Sequence, residues 1–188
     1  LLAGLGTAAA AIPMAADAAV PPAFEQWRDR FRARATARGV SDQTYTRVMG
    51  RIEPDMSVFA QIRKQPEFSE QLWQYINRRV SDWRIGAGKE ALQKNRSLFD
   101  RIEKDFGVER GTLLALWGVE TAYGDPIVQK NYMRPVFPSL AALAWNEPRR
   151  RAYWQTELIN ALRIVERGWG TPEEMRGSWA GAMGHTQW

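Results

Sequence analysis

Cysteine is absent from the 188 residues, and histidine occurs once, as His185. Disulfides are thereby excluded, and a zinc, haem or iron-sulfur centre lacks its usual ligands. No D-x-D-x-D-G loop offers an oxygen cage for calcium. No metal and no cofactor are expected. Apolar and polar residues never alternate long enough to argue a sheet. Residues 1–16, L-L-A-G-L-G-T-A-A-A-A-I-P-M-A-A, are too short and too rich in Ala and Gly for a membrane span, so no transmembrane anchor is expected. They read instead as the apolar part of a secretory signal, with Ala16-Asp17-Ala18 as a small-x-small cleavage site. A flexible Ala-rich tail is the alternative. Without an initiator Met or a charged leading region, the sequence is expected to begin partway into that leader. The expected organisation is a partial signal peptide over 1–18 and one domain over 19–188, in an exported, soluble, periplasmic protein.

What is present supports one domain with its own core: 45% hydrophobic and 25% charged residues over this length. A net charge of +5 implies attraction to something anionic. Lys and Arg are dispersed and no recognition motif appears, so nucleic acid is not expected as a partner. A polyanionic cell wall or a phospholipid surface suits an exported protein better, with solvated helix faces as the plain alternative.

From Phe24 onward the apolar spacing is helical almost throughout. Phe24, Trp27 and Phe31 open an amphipathic helix ending at Gly39, and Ser41 caps the next, which Pro54 terminates. Pro66 starts a third helix with Phe68, Leu72, Trp73, Tyr75, Ile76 and Val80 inward. A fourth covers residues 88–106, with Leu92, Leu98, Phe99 and Ile102 inward and Gly107 as its stop. Residues 125–138, holding Pro126, Pro135 and Pro138, read as a loop over a cleft. Ser139 caps a helix through Trp145, residues 149–167 form another, and Thr171-Pro172-Glu173-Glu174 starts a short one. The fold class is all-α.

Two stretches carry chemistry. Residues 111–126 read G-T-L-L-A-L-W-G-V-E-T-A-Y-G-D-P. Leu113, Leu116, Trp117 and Glu120 share one face of a helix over 113–123, so Glu120 completes an apolar stripe in the last turn. Partial desolvation and the helix dipole favour the protonated form of a carboxyl placed there, as a general acid requires. A solvated rim position is the other reading of the same spacing. Residues 177–188 read G-S-W-A-G-A-M-G-H-T-Q-W, a backbone with little side-chain cover. Ser178 and Gln187 could orient a polar ligand there; tight helix packing is the alternative.

W-G-V-E-T-A-Y-G, L-A-A-L-A-W-N-E-P-R-R-R-A-Y-W and the Gly-rich end together resemble the B-type lytic murein transglycosylases, which have a lysozyme-like fold of the goose-type lysozyme class. Q-P-E-F and R-V-S-D-W-R-I upstream look like that family as well. The resemblance extends from Phe24 onward, and three ordered motifs favour the acid reading of Glu120. It implies cleavage of the β-1,4 bond between N-acetylmuramic acid and N-acetylglucosamine in peptidoglycan, without water, giving 1,6-anhydro ends. Glu120 matches the family's lone catalytic carboxyl. Ser178 and Gln187 match its sugar-contacting residues, and Arg149, Arg150 and Tyr153 its P-R-R-x-x-Y cleft residues. Peptidoglycan strands are the implied partner, with cell-wall synthesis or division proteins as further candidates. Thr121 is either a hydrogen-bonding neighbour of the acid or bonded to its own helix; Trp145, Trp179 and Tyr123 are candidate sugar platforms.

Two departures stand out. Residues 125–138 look slightly longer than the family's loop, and Trp188 stands where the family has Phe, M-P and a long C-terminal portion. A fold incomplete at its C-terminus is expected, with Gln187 near a frayed end and weak or no turnover by the chain alone. A non-catalytic peptidoglycan-binding module and a basic helical nucleic-acid binder are the rival readings.

Overall fold

Phe24, Phe31, Tyr45, Met49, Leu143, Leu158 and Leu162 are all buried, and the helices that carry them form the main core of this computed structural model. The structure describes residues 20–63 and 70–187; the expected signal segment lies outside them. In chain order the helices are α1 (Pro22–Thr36), α2 (Asp42–Met49), α3 (Val58–Arg63), α4 (Leu72–Arg79), α5 (Asp82–Lys94), α6 (Arg96–Phe106), α7 (Arg110–Thr121), α8 (Pro126–Tyr132), α9 (Val136–Asn146) and α10 (Arg151–Glu166). Two short strands, β1 (Arg134–Pro135) and β2 (Arg176–Gly177), pair antiparallel. The all-α reading holds, and among the described residues no helix is long and apolar enough to cross a membrane.

The sequence V-F-P-S-L-A-A-L-A places apolar or small residues all round α9, which suits a helix covered on every side. It lies against α10, with α1, α2 and α3 around the same core. Trp145 is half-buried and meets Phe24 edge-to-face at 5.3 Å, packed against this core. Ser41 caps α2 as expected, accepting the Thr44 amide. Gly107 ends α6 in the left-handed conformation at φ 68°, as the stop signal required.

Several expected elements differ. The helix expected over 88–106 is two, divided at Asn95, whose ψ of 22° and side-chain bond to the Ala91 carbonyl end α5. Of the third helix, Pro66 and Phe68 lie outside the described residues; on its expected inward side Tyr75 is half-buried, but Leu72, Trp73, Ile76 and Val80 are 73%, 62%, 47% and 61% exposed. Residues 125–138 are not one loop. Asp125 caps α8 by accepting the Ile127 and Val128 amides, and α9 begins three residues before Ser139. Ser139 is buried inside α9, where its hydroxyl donates to the Pro135 carbonyl. Residues 171–174 form a turn in place of a helix, with Thr171 and Glu174 capping each other.

Candidate active site

The geometry is set at the end of α7. Ala122, Tyr123 and Gly124 follow with φ of 50°, 61° and 77°, three successive left-handed residues that reverse the chain immediately after Glu120 and Thr121. Tyr123 is held in that conformation by a slot. A Cβ on Gly88 of α5 or on Gly118 of α7 would lie 2.5 or 2.4 Å from its phenol oxygen. The two glycines thus make room for the ring at the α5–α7 crossing, and Arg84 ties the same crossing by donating to the Gly118 carbonyl at 2.6 Å. Tyr123 is a wedge in this position.

Glu120 sits in the last turn of α7, as its spacing predicts, but the stripe around it is only partly covered. Trp117 is half-buried and stacks on Phe99 of α6 at 6.3 Å, whereas Leu116 is 39% exposed and Glu120 is exposed. Cover exists where α7 meets α5 and α6; the turn carrying Leu116, Val119 and Glu120 is open. The half-desolvated setting expected from the sequence is therefore corrected. Beside α7, a groove of about 710 Å³ is lined by Trp83, Leu98, Phe99, Trp117, Tyr123 and His185 among others.

The Gly-rich segment reaches both other motifs. At one end His185 meets α7: the Trp117 indole N–H donates to its Nδ1 at 2.9 Å, and the Thr121 hydroxyl donates to its carbonyl at 2.7 Å. Thr121 is 1% exposed, so its hydroxyl needs a partner, and it makes the longer bond to its own helix at 3.3 Å as well. At the other end Trp179 packs on Trp154 of α10 at 6.5 Å. Tyr153 lies edge-on to Trp154, and the Arg150 guanidinium stands 4.1 Å over the Tyr153 ring. Arg149 and Arg150 stand just before α10, their amides donating to the Glu147 carboxylate, which sets a negative group beside cations that a helix start disfavours.

Within the segment, Ser178 is half-buried; its amide donates to the Ala182 carbonyl and its Oγ accepts the Ala180 amide. A Cβ on Gly177 would fall 2.4 Å from the Ala182 carbonyl oxygen, so this turn needs the bare backbone. Gln187 takes a left-handed φ of 58° and donates to the Gly184 carbonyl. Ser178, Arg150 and Tyr153 are thus joined through Trp179 and Trp154, and Glu120 is joined to the same segment through Trp117, Thr121 and His185. The role of His185 in this joint was not read from the sequence. Its being the sole histidine, set within a stretch otherwise poor in side chains, was the available signal.

Comparison with known proteins follows the same residues. Membrane-bound lytic murein transglycosylase B of Escherichia coli K12 is 32% identical over 88 residues, which are 47% of this chain and 23% of the relative. SltB3 of Pseudomonas aeruginosa, solved in complex with NAG-NAM-pentapeptide, aligns with a TM-score of 0.79 at 35% identity, covering 89% of this chain and 43% of SltB3. Soluble lytic transglycosylase SltB1 of the same species aligns at 0.73 with 25% identity, covering 86% and 53%. The chain spans less than half the length of the first two relatives. The family model of the Transglycosylase SLT domain matches residues 23–188, which takes in α1, the acid-bearing α7 and the segment docked on it, and the chain therefore belongs to that family.

Proposed function

We propose that the protein is a peptidoglycan lytic transglycosylase, cleaving the β-1,4 bond between N-acetylmuramic acid and N-acetylglucosamine and leaving 1,6-anhydro ends. Glu120 protonates the glycosidic oxygen as its bond to C1 breaks. The carboxylate so formed takes the proton of the muramic C6 hydroxyl while that oxygen closes onto C1, and no water is consumed. One observation supports the non-hydrolytic reading most, the family match over residues 23–188; Asp125, the acid five residues beyond Glu120, uses one carboxylate oxygen to cap α8. Hydrolysis by the common routes needs a second carboxylate as base or nucleophile. An internal hydroxyl needs orientation instead. Ser178, Gln187, Arg149, Arg150 and Tyr153 are assigned to hold the glycan strand.

An exposed Glu120 suits a donor that meets a polymer arriving from solvent, because the bound sugars displace water from the carboxyl. SltB3 has been solved with NAG-NAM-pentapeptide and with NAG-anhNAM-pentapeptide, and we carry that substrate class over to this chain. The leader-like residues 1–16 and this substrate together support a periplasmic site of action.

The test is digestion of purified wall by the full-length protein, with Glu120→Gln beside it. Wild type should release anhydro-muramyl products, and the variant should lose activity by about 100- to 10,000-fold, the usual contribution of a positioned acid. Equal release from both would end the assignment.

A further inference from the structure

Three contacts converge on the turn that carries Glu120, and all come from His185. The Trp117 indole is a donor only, so the Nδ1 it meets at 2.9 Å is the accepting nitrogen of the ring. The buried Thr121 hydroxyl donates to the carbonyl of the same residue. Gly124, at φ 77°, leaves the space the ring occupies, since a Cβ there would lie 2.5 Å from the His185 Cε1. Trp117, Thr121 and Gly124 stand three residues before, one after and four after Glu120. One residue therefore grips the acid-bearing turn on both sides.

We infer that His185 is a positioning residue: its ring nitrogen and its main-chain carbonyl clamp Trp117 and Thr121, and so align the Glu120 carboxyl with the segment that presents Ser178 and Gln187. This rests on the transglycosylase reading of Glu120 and names the residue that sets the acid's orientation. The physical need is plain. The last turn of α7 is open on the Leu116 and Val119 side, so packing alone leaves the carboxyl free to swing. A proton donor displaced by about 1 Å from its leaving group loses rate on the order of 100-fold.

The choice of substitutions follows from the acceptor geometry. Asn carries its amide oxygen close to the Nδ1 position and can accept the Trp117 indole N–H; Leu fills similar space and cannot. Three variants of the full-length protein, His185→Asn, His185→Leu and Thr121→Val, would be compared with wild type in wall digestion. Hydrogen exchange of the Trp117 indole N–H, identified by its loss in Trp117→Phe, is followed in parallel by NMR. His185→Leu should lower kcat by about 10- to 100-fold with KM within about 3-fold, the pattern of an interaction that acts on the transition state. His185→Asn should recover most of that loss and keep the indole proton slow to exchange. Thr121→Val, which leaves the histidine in place, should lower kcat without changing KM.

Wild-type kcat in a folded His185→Leu would overturn the clamp, and so would a His185→Asn as impaired as His185→Leu. A raised KM with kcat intact would make His185 a support for the sugar-contacting segment and also overturn the inference. Absence of anhydro products from wild type would remove the acid itself, a different failure visible before any His185 variant is compared.

Discussion

Gly118→Ala is the most discriminating stability test the fold offers, because local propensity and tertiary packing predict opposite signs. In an isolated helix the change stabilises by about 0.8 to 1 kcal/mol. Here the new Cβ would stand 2.4, 2.5 and 2.9 Å from the Oη, Cζ and Cε1 atoms of Tyr123. The ring lies between two bare backbones, since a Cβ on Gly88 would likewise stand 2.5 Å from the Oη. Accommodation requires either opening the α5–α7 crossing, and with it the Arg84 bond to the Gly118 carbonyl, or expelling the ring. Overpacking of this kind costs about 1 to 3 kcal/mol. After the helix gain is subtracted, Gly118→Ala should destabilise by up to about 2 kcal/mol, a fall in Tm of up to roughly 8 °C. The assay is a double-mutant cycle by thermal and urea unfolding. In a Tyr123→Ala background the same change should turn stabilising, because the ring is gone and the propensity gain remains. A higher Tm for Gly118→Ala alone, or the same effect in both backgrounds, would refute the slot.

Two further outcomes follow from the hydrogen bonds. Glu103 of α6 is bonded by the Arg110 side chain and amide at the start of α7, and these contacts hold its carboxyl below the ordinary value of 4.5. A depressed carboxyl contributes stability above its unfolded value and loses that contribution as pH falls through the folded one. Glu103→Gln should therefore narrow the stability gap to wild type in melts taken below about pH 4, and a constant gap from neutral to acid would contradict the pairing. Tyr45 is 1% exposed and donates to the Arg28 carbonyl at 2.5 Å, and burial pushes its phenol above the ordinary 10.0. A raised value means stability is whole below the unfolded phenol value and falls as pH rises beyond it. Tyr45→Phe should cost about 1 kcal/mol at neutral pH and show a shallower alkaline decline of stability, read from urea midpoints.

Local signals were enough for elements whose ends are chemical. Ser41 and Gly107 sit where their capping preferences place them, because a cap is decided within four residues; α7 instead ends at Thr121, with Ala122 in the left-handed position expected of Gly124. Ser139 shows the limit of such signals: its cap preference starts no helix, because α9 begins at Val136 and buries it. Apolar spacing was less informative where the partner surface is distant in sequence. Leu72, Trp73, Ile76 and Val80 carry the pattern of a buried side yet are exposed, since periodicity states which residues share a face and not what covers it.

The residues on their own determined an all-helical chain, a lone carboxyl at the end of α7 and a bare glycine-rich segment that meets a partner. Only the tertiary structure decided that the partner is α7 itself, held through the His185 ring and carbonyl, and that Glu120 stands open to solvent. The first depends on contacts across more than sixty residues of chain, and the second on what neighbouring helices leave uncovered, neither of which a local pattern encodes.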